Sequence, residues 1–159
     1  MKGNDKIIET LNRLLADELT AINQYMVHSE MCDNWGYDKL HKQLEKNAID
    51  EMKHAEMHIG RIIFLEGMPI VSKLNAINIG RTVPEMITNN NQAELDAIGS
   101  YNNAITLAHE VKDQGTVDML MRILKDEERH RDWGEAQLDQ IEQMGVQLYL
   151  NNQTEGATA

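Results

Sequence analysis

Glu18-Leu-Thr-Ala-Ile-Asn-Gln-Tyr25 returns 76 positions later as Glu94-Leu-Asp-Ala-Ile-Gly-Ser-Tyr101. At the same offset, Asp50-Glu-Met-Lys-His54 returns as Asp126-Glu-Glu-Arg-His130. Two segments matching at one offset point to two copies of one ancestral unit. Working outward from them, each lies in a run whose apolar residues recur every three or four positions, the period of an amphipathic helix. The first run reads Leu11, Leu14, Glu18, Ile22, Tyr25, and the second Leu40, Leu44, Glu51, His54, His58, Ile62. The third reads Ile87, Glu94, Ile98, Tyr101, Ile105, and the fourth Leu120, Ile123, Glu127, His130, Leu138, Ile141. An all-α fold of four long helices is predicted, with carboxylates and imidazoles where core residues belong.

Helix punctuation sets the boundaries. Helices are expected at about 6–33, 37–65, 83–111 and 116–144, with a short one at 146–152, all in a single domain spanning 1–159. Asn34-Trp35-Gly36 separates the first two, and Gly67 and Pro69 stop the second. Thr82-Val-Pro-Glu85 opens the third as a capping box with proline in the first turn. Gly115 precedes the fourth and Gly145 ends it. The polar end, Gln153 to Ala159, is expected to be disordered. Short joins make each consecutive pair an antiparallel hairpin. The link over residues 66–82 is far longer. Helices of about 28 residues are about 42 Å long, and a link of this size spans roughly 55 Å when extended. It can run the length of the bundle and set the second and third helices parallel, the ferritin-like connection.

The 159 residues carry a net charge of -11, which argues against nucleic acid as a partner. Cys32 is the lone cysteine, so no disulfide can form within the chain. It reads as a structural or surface thiol, because nothing nearby would activate it. No stretch has the length of a membrane span, and the N-terminal run is broken by Asn12 and Arg13. A soluble, cytoplasmic protein is expected.

Glu18, Glu51, His54, Glu94, Glu127 and His130 lie at matching heights on their helices and should converge in mid-bundle. Four buried carboxylates cannot stay ionised unaided, since desolvation and mutual repulsion raise their pKa values. Two divalent metal ions supply the four positive charges that balance them, with two neutral imidazoles as further ligands. Each Glu-x-x-His spacing puts both side chains on one helix face. Oxygen-rich ligation with two imidazoles suits iron or manganese. His54-Ala-Glu-Met-His58 is not a zinc-protease motif, because its Glu stands third.

With those residues in place, the chain from Met1 to about Asn151 resembles bacterioferritin in length, crossover and all six di-iron positions. The resemblance implies an iron-storage protein with ferroxidase activity, using dioxygen or hydrogen peroxide on Fe(II). Glu51 and Glu127 would bridge two iron ions, Glu18 and His54 completing one and Glu94 and His130 the other. Ferric mineral would fill a 24-subunit homo-oligomeric cage built from two-fold dimers. A haem, b-type or related and one per subunit pair, would take Met52 from each subunit as axial ligand. The same residue also reads as an ordinary interface methionine. Leu19, Ile22, Met26 and Ile49 are candidates to line that pocket. A ferredoxin-type reductant would release the iron, and the short fifth helix would line the four-fold pores.

This chain departs from the family at several positions. Some relatives carry an inner-surface iron site that uses a His four residues before Asp50. Here Asp50 is kept but Lys46 takes the place of the His. His58 stands where some members have Tyr and reads as a hydrogen-bond donor to a metal ligand or a core His bonded to backbone. Tyr25 and Trp133 are placed to pass electrons, although packing suits Trp133 better. The alternative is a rubrerythrin-like di-iron or di-manganese peroxide scavenger without mineral storage, a class that commonly adds a cysteine-rich segment missing here. A haem electron-transfer bundle using Met52 alone leaves the six convergent ligands unexplained. A DNA-protecting mini-ferritin holds its metal between subunits and would not need six ligands in one bundle.

Overall fold

A computed structural model of the chain describes residues 1–156. Five helices run α1 (Asp5–Asn34), α2 (Asp38–Phe64), α3 (Val83–Glu110), α4 (Gln114–Met144) and α5 (Val146–Asn151), with no strand among the described residues. Their starts follow from local capping. Asn4 Oδ1 accepts the Lys6 amide at 2.9 Å, so α1 begins at Asp5. Asp113, not Gly115, caps α4 by accepting the Thr116 amide at 3.0 Å, which starts that helix two residues before the expected 116. Thr82 caps α3 with proline in the first turn, as expected, and Glu85 reaches back to the Arg81 amide at 2.7 Å. At Gly145 a φ of +83° lets the chain leave α4 and turn into α5.

α1 packs chiefly on α2, and α3 on α4, with α1 also lying against α3. Residues 65–82 form the crossover, and its path can be followed through its hydrogen bonds to α1. The Ile70 amide donates to Asn12 Oδ1 at 2.8 Å, the Asn75 amide to Thr20 Oγ1 at 2.9 Å, and the Asn78 amide to Gln24 Oε1 at 3.0 Å. Last, the Gly80 amide donates to His28 Nε2 at 2.9 Å. The crossover therefore climbs α1 from its N-terminal to its C-terminal end, and α3 runs in the direction of α2. This is a ferritin-like four-helix bundle with one long crossover. The expected topology holds, and the crossover's stability has a physical source: its backbone donors are met by a polar stripe on α1. Gly80 is required at the top, since a Cβ there would sit 2.4 Å from the Met86 amide nitrogen.

Two apolar clusters fill the bundle. One includes Leu11, Leu15, Ile62, Leu120 and Ile123, and the other Leu40, Leu44, Met86, Ile87 and Tyr149. The polar residues of the four helices lie between them. α5 closes one end, where buried Tyr149 donates to Gln137 Oε1 at 2.8 Å. Cys32 is fully buried in the same cluster, and burial pushes its thiol up to about 11, so it is a structural thiol.

The polar tail departs from expectation. Gln153 is buried and its carbonyl accepts the Lys39 amide at 3.1 Å, while Glu155 pairs with Lys42. The tail thus supplies a cap to α2, whose own N-cap Tyr37 offers no side-chain acceptor. The rest of the expected disorder falls on residues 157–159, outside the described residues. No helix of the described residues is long and apolar enough to cross a membrane.

Candidate metal centre

Glu18, Glu51, His54, Glu94, Glu127 and His130 are all buried at mid-bundle. They fall into two groups, Glu18–Glu51–His54–Glu127 and Glu51–Glu94–Glu127–His130. In each group one ligand atom per residue lies within 4.8 Å of the others, the size of a metal-binding nest. Glu51 and Glu127 belong to both groups.

The charge balance of this nest tests which group it fits. Burial and repulsion from Glu51 hold Glu18 well above the usual carboxylate range, and the same causes act on Glu127. Burial opposes ionisation of Glu51 as well, but the imidazoles of His130 and His54 outweigh it and hold Glu51 low. Burial also opposes the imidazolium of His130, yet Glu51 and Glu94 raise it to about 10. His54 is raised in the same way by Glu127, Glu18 and Glu51. Without metal, protons must supply the positive charge that the carboxylates demand. Glu51 Oε1, Glu127 Oε1 and His130 Nδ1 are buried with no aligned hydrogen-bond partner, although His130 Nδ1 is only 3.0 Å from Glu51 Oε1. Buried carboxylate and imidazole atoms left unpaired within these two groups are what two divalent cations would satisfy.

A second ring of residues fixes the first. His54 Nε2 donates to Asp126 Oδ2 at 3.0 Å, and His130 Nε2 to Asp50 Oδ2 at 3.2 Å. Both rings are thereby held with Nδ1 facing the glutamates. Arg129 donates to Asp126 at 2.7 Å and to Asp50 at 3.4 Å, joining the two aspartates. Asp50, a candidate inner-surface ligand whose usual His partner is replaced by Lys46, lies behind His130 with Arg129 beside it. Tyr25 donates to Glu94 Oε1 and Tyr101 to Glu18 Oε1, each crossing from one hairpin to the other. His58 Nε2 lies 2.6 Å from the Tyr101 hydroxyl and makes no backbone bond. Burial lowers its pKa to about 3, so it is neutral.

Reading the residues alone missed the roles of Asp126 and Tyr101. The signal was present, since Asp50 and Asp126, and Tyr25 and Tyr101, are matched by the internal echo. Trp133 is half-buried and packs in the Tyr25 cluster. Met52 stands apart from the six, 46% exposed on α2.

A cavity of about 270 Å³ leads to the centre between α1, α3 and the crossover. Glu18, Glu51, Glu94 and Glu127 line its inner end, and Asp17, Asn75 and Asp96 also border it.

Comparison with known proteins agrees with this architecture. Residues 8–144 match the Ferritin family, described as a ferritin-like domain. The bacterioferritin of Streptomyces coelicolor is 40% identical over 151 residues, 95% of this chain and 90% of that protein. The bacterial ferritin of Synechocystis sp. is 39% identical over 154 residues, 96% and 99% of the two chains. The bacterioferritin of Mycobacterium avium is 38% identical over 149 residues, 94% of each. With the fold, the buried carboxylate–imidazole nest and near full-length similarity in agreement, this chain belongs to the ferritin-like family and, within it, to the bacterioferritins.

Proposed function

We propose that the chain stores iron, oxidising Fe(II) at the mid-bundle centre and passing Fe(III) to a mineral inside a 24-subunit cage. The observation that carries this reading is the pair of buried nests sharing Glu51 and Glu127. Two Fe(II) ions bound there as substrate give up one electron each, and one hydrogen peroxide with two protons accepts them to leave two waters. Dioxygen is the alternative oxidant. The chain's own residues do the rest. Glu51 and Glu127 are shared between the two iron positions, Glu18 with His54 and Glu94 with His130 complete them, and Asp126 and Asp50, by accepting from Nε2, turn both imidazole Nδ1 atoms toward the iron, whose binding would displace the proton there. Tyr101 and Tyr25 hold the terminal glutamates in place.

Haem is part of the same proposal. Met52 and Ile49, three residues apart on α2, are 46% and 42% exposed, and Met26 on α1 is 46% exposed. Large apolar side chains left in water call for a cover, and a two-fold copy would bring a second Met52 to the same place. Two Met52 thioethers would then hold one haem iron per subunit pair. The cage reading is tested by native mass and the oxidase reading by rapid mixing with Fe(II). In a Glu18→Ala, Glu94→Ala variant, oxidation should fall to the protein-free rate while helicity and assembly persist. Undiminished oxidation in that variant would exclude the centre as the site of reaction.

A further inference from the structure

The duplication is kept in five pairs around the centre: Glu18 and Glu94, Glu51 and Glu127, His54 and His130, Tyr25 and Tyr101, Asp50 and Asp126. It is broken at His58, whose counterpart at the same offset is Gly134. His58 is fully buried, stacks on Tyr101 with ring centroids 5.8 Å apart, and places Nε2 2.6 Å from the phenol oxygen. Tyr101 in turn donates to Glu18. On the opposite side Tyr25 donates to Glu94, but position 134 has no side chain to stand behind it. That space is taken by Asn91, whose Oδ1 is 2.7 Å from where a Cβ on Gly134 would lie.

The proton count fixes the direction of the chain. With Glu18 ionised, as it would be beside a bound cation, Tyr101 spends its single O–H on the carboxylate and can only accept from His58. The ring proton of His58 therefore sits on Nε2, leaving Nδ1 bare, and Nδ1 has no partner. A phenol that accepts a hydrogen bond is a more polarised donor, and the effect is largest in a dry core. Both rings are locked by burial, so the Glu18 side chain is held in place before any metal arrives, and little freedom is lost on binding.

We infer that His58 is a positioning residue acting through Tyr101 on Glu18, and that it makes the centre unequal, the Glu18–His54 half binding a divalent metal ion more tightly than the Glu94–His130 half. The inference rests on the reading of the six residues as a metal centre. Its test is anaerobic titration of the assembled, full-length protein with Co(II), followed by visible absorption. The wild type should bind in two separated steps. His58→Leu should weaken the tighter step by about 10–100-fold, the usual cost of losing an outer-shell partner, and leave the other step in place. Tyr101→Phe, which keeps the ring and removes only the hydroxyl, should do the same, and the double variant should be no worse than Tyr101→Phe alone. Tyr25→Phe should weaken the looser step instead. Two equal steps in the wild type would overturn the inference. So would a His58→Leu effect on both steps or neither, or losses that add in the double variant. A wild type that takes up no Co(II) would instead overturn the metal centre itself.

Discussion

Asp126 and Asp50 show how much of this centre depends on residues that do not line it. Each accepts from the Nε2 of a histidine on the facing helix, which leaves Nδ1 as the ring atom that faces the glutamates. Removing Asp126 by Asp126→Ala should lower metal affinity by about 10–100-fold, because His54 can then rotate or take up the wrong tautomer. Isothermal titration with Zn(II) would measure it, and an unchanged affinity would show the aspartate to be a surface acid only. The six inner residues were legible in the sequence, because Glu and His interrupt an otherwise apolar stripe at helical spacing. The outer partners were not. Asp126 is part-exposed at 42% of its side chain, and by spacing alone it reads as one more solvated acid.

At the scale of elements, the crossover depends on α1. Asn12, Thr20, Gln24 and His28 accept four of its amides, yet in the sequence they look like the wet side of an amphipathic helix. Period tells which residues share a face, but it cannot say that a loop rather than water covers that face. The crossover itself was legible, because its length is matched to the helices. The His28 contact titrates. Burial lowers its pKa, offset in part by the bond to Asn90, and its Nε2 must be bare to accept from Gly80. A group with a depressed folded pKa contributes stability above its unfolded value, about 6.5 for His, and that stability is lost as pH falls through the folded value. Amide exchange should therefore show protection at Gly80 declining below about pH 6.5, while Asn78, held by the uncharged Gln24, keeps its own. Parallel behaviour of the two amides would remove His28 as the cause. The ordered tail was illegible for a related reason: Gln153 caps α2 through a backbone carbonyl, which no composition reveals.

For the whole molecule, the metal-free centre is a store of unfavourable electrostatics placed between two apolar clusters. Divalent ions that bind only the folded state should stabilise it by mass action. Each site would contribute about 2.7 kcal/mol at a free metal concentration one hundred times its Kd. In a chain of this size that corresponds to a rise in Tm of roughly 5–11 °C per site. Calorimetry under anaerobic Fe(II) checks this, and an unchanged Tm would mean that the nests do not bind. Assembly adds a second expectation. In the proposed assembly, Met52→Leu would keep an apolar side chain at the two-fold face, so the cage should persist while haem content falls to near zero, whereas haem retained with an unaltered spectrum would make Met52 an interface residue alone.

The most direct measurement locates the ions. Crystals of the full-length protein soaked anaerobically with Fe(II) should show two anomalous peaks at the iron edge inside each bundle. One should lie among Glu18, Glu51, His54 and Glu127, and the other among Glu51, Glu94, Glu127 and His130. A bundle interior without iron density, or iron bound only on the surface, would contradict the account.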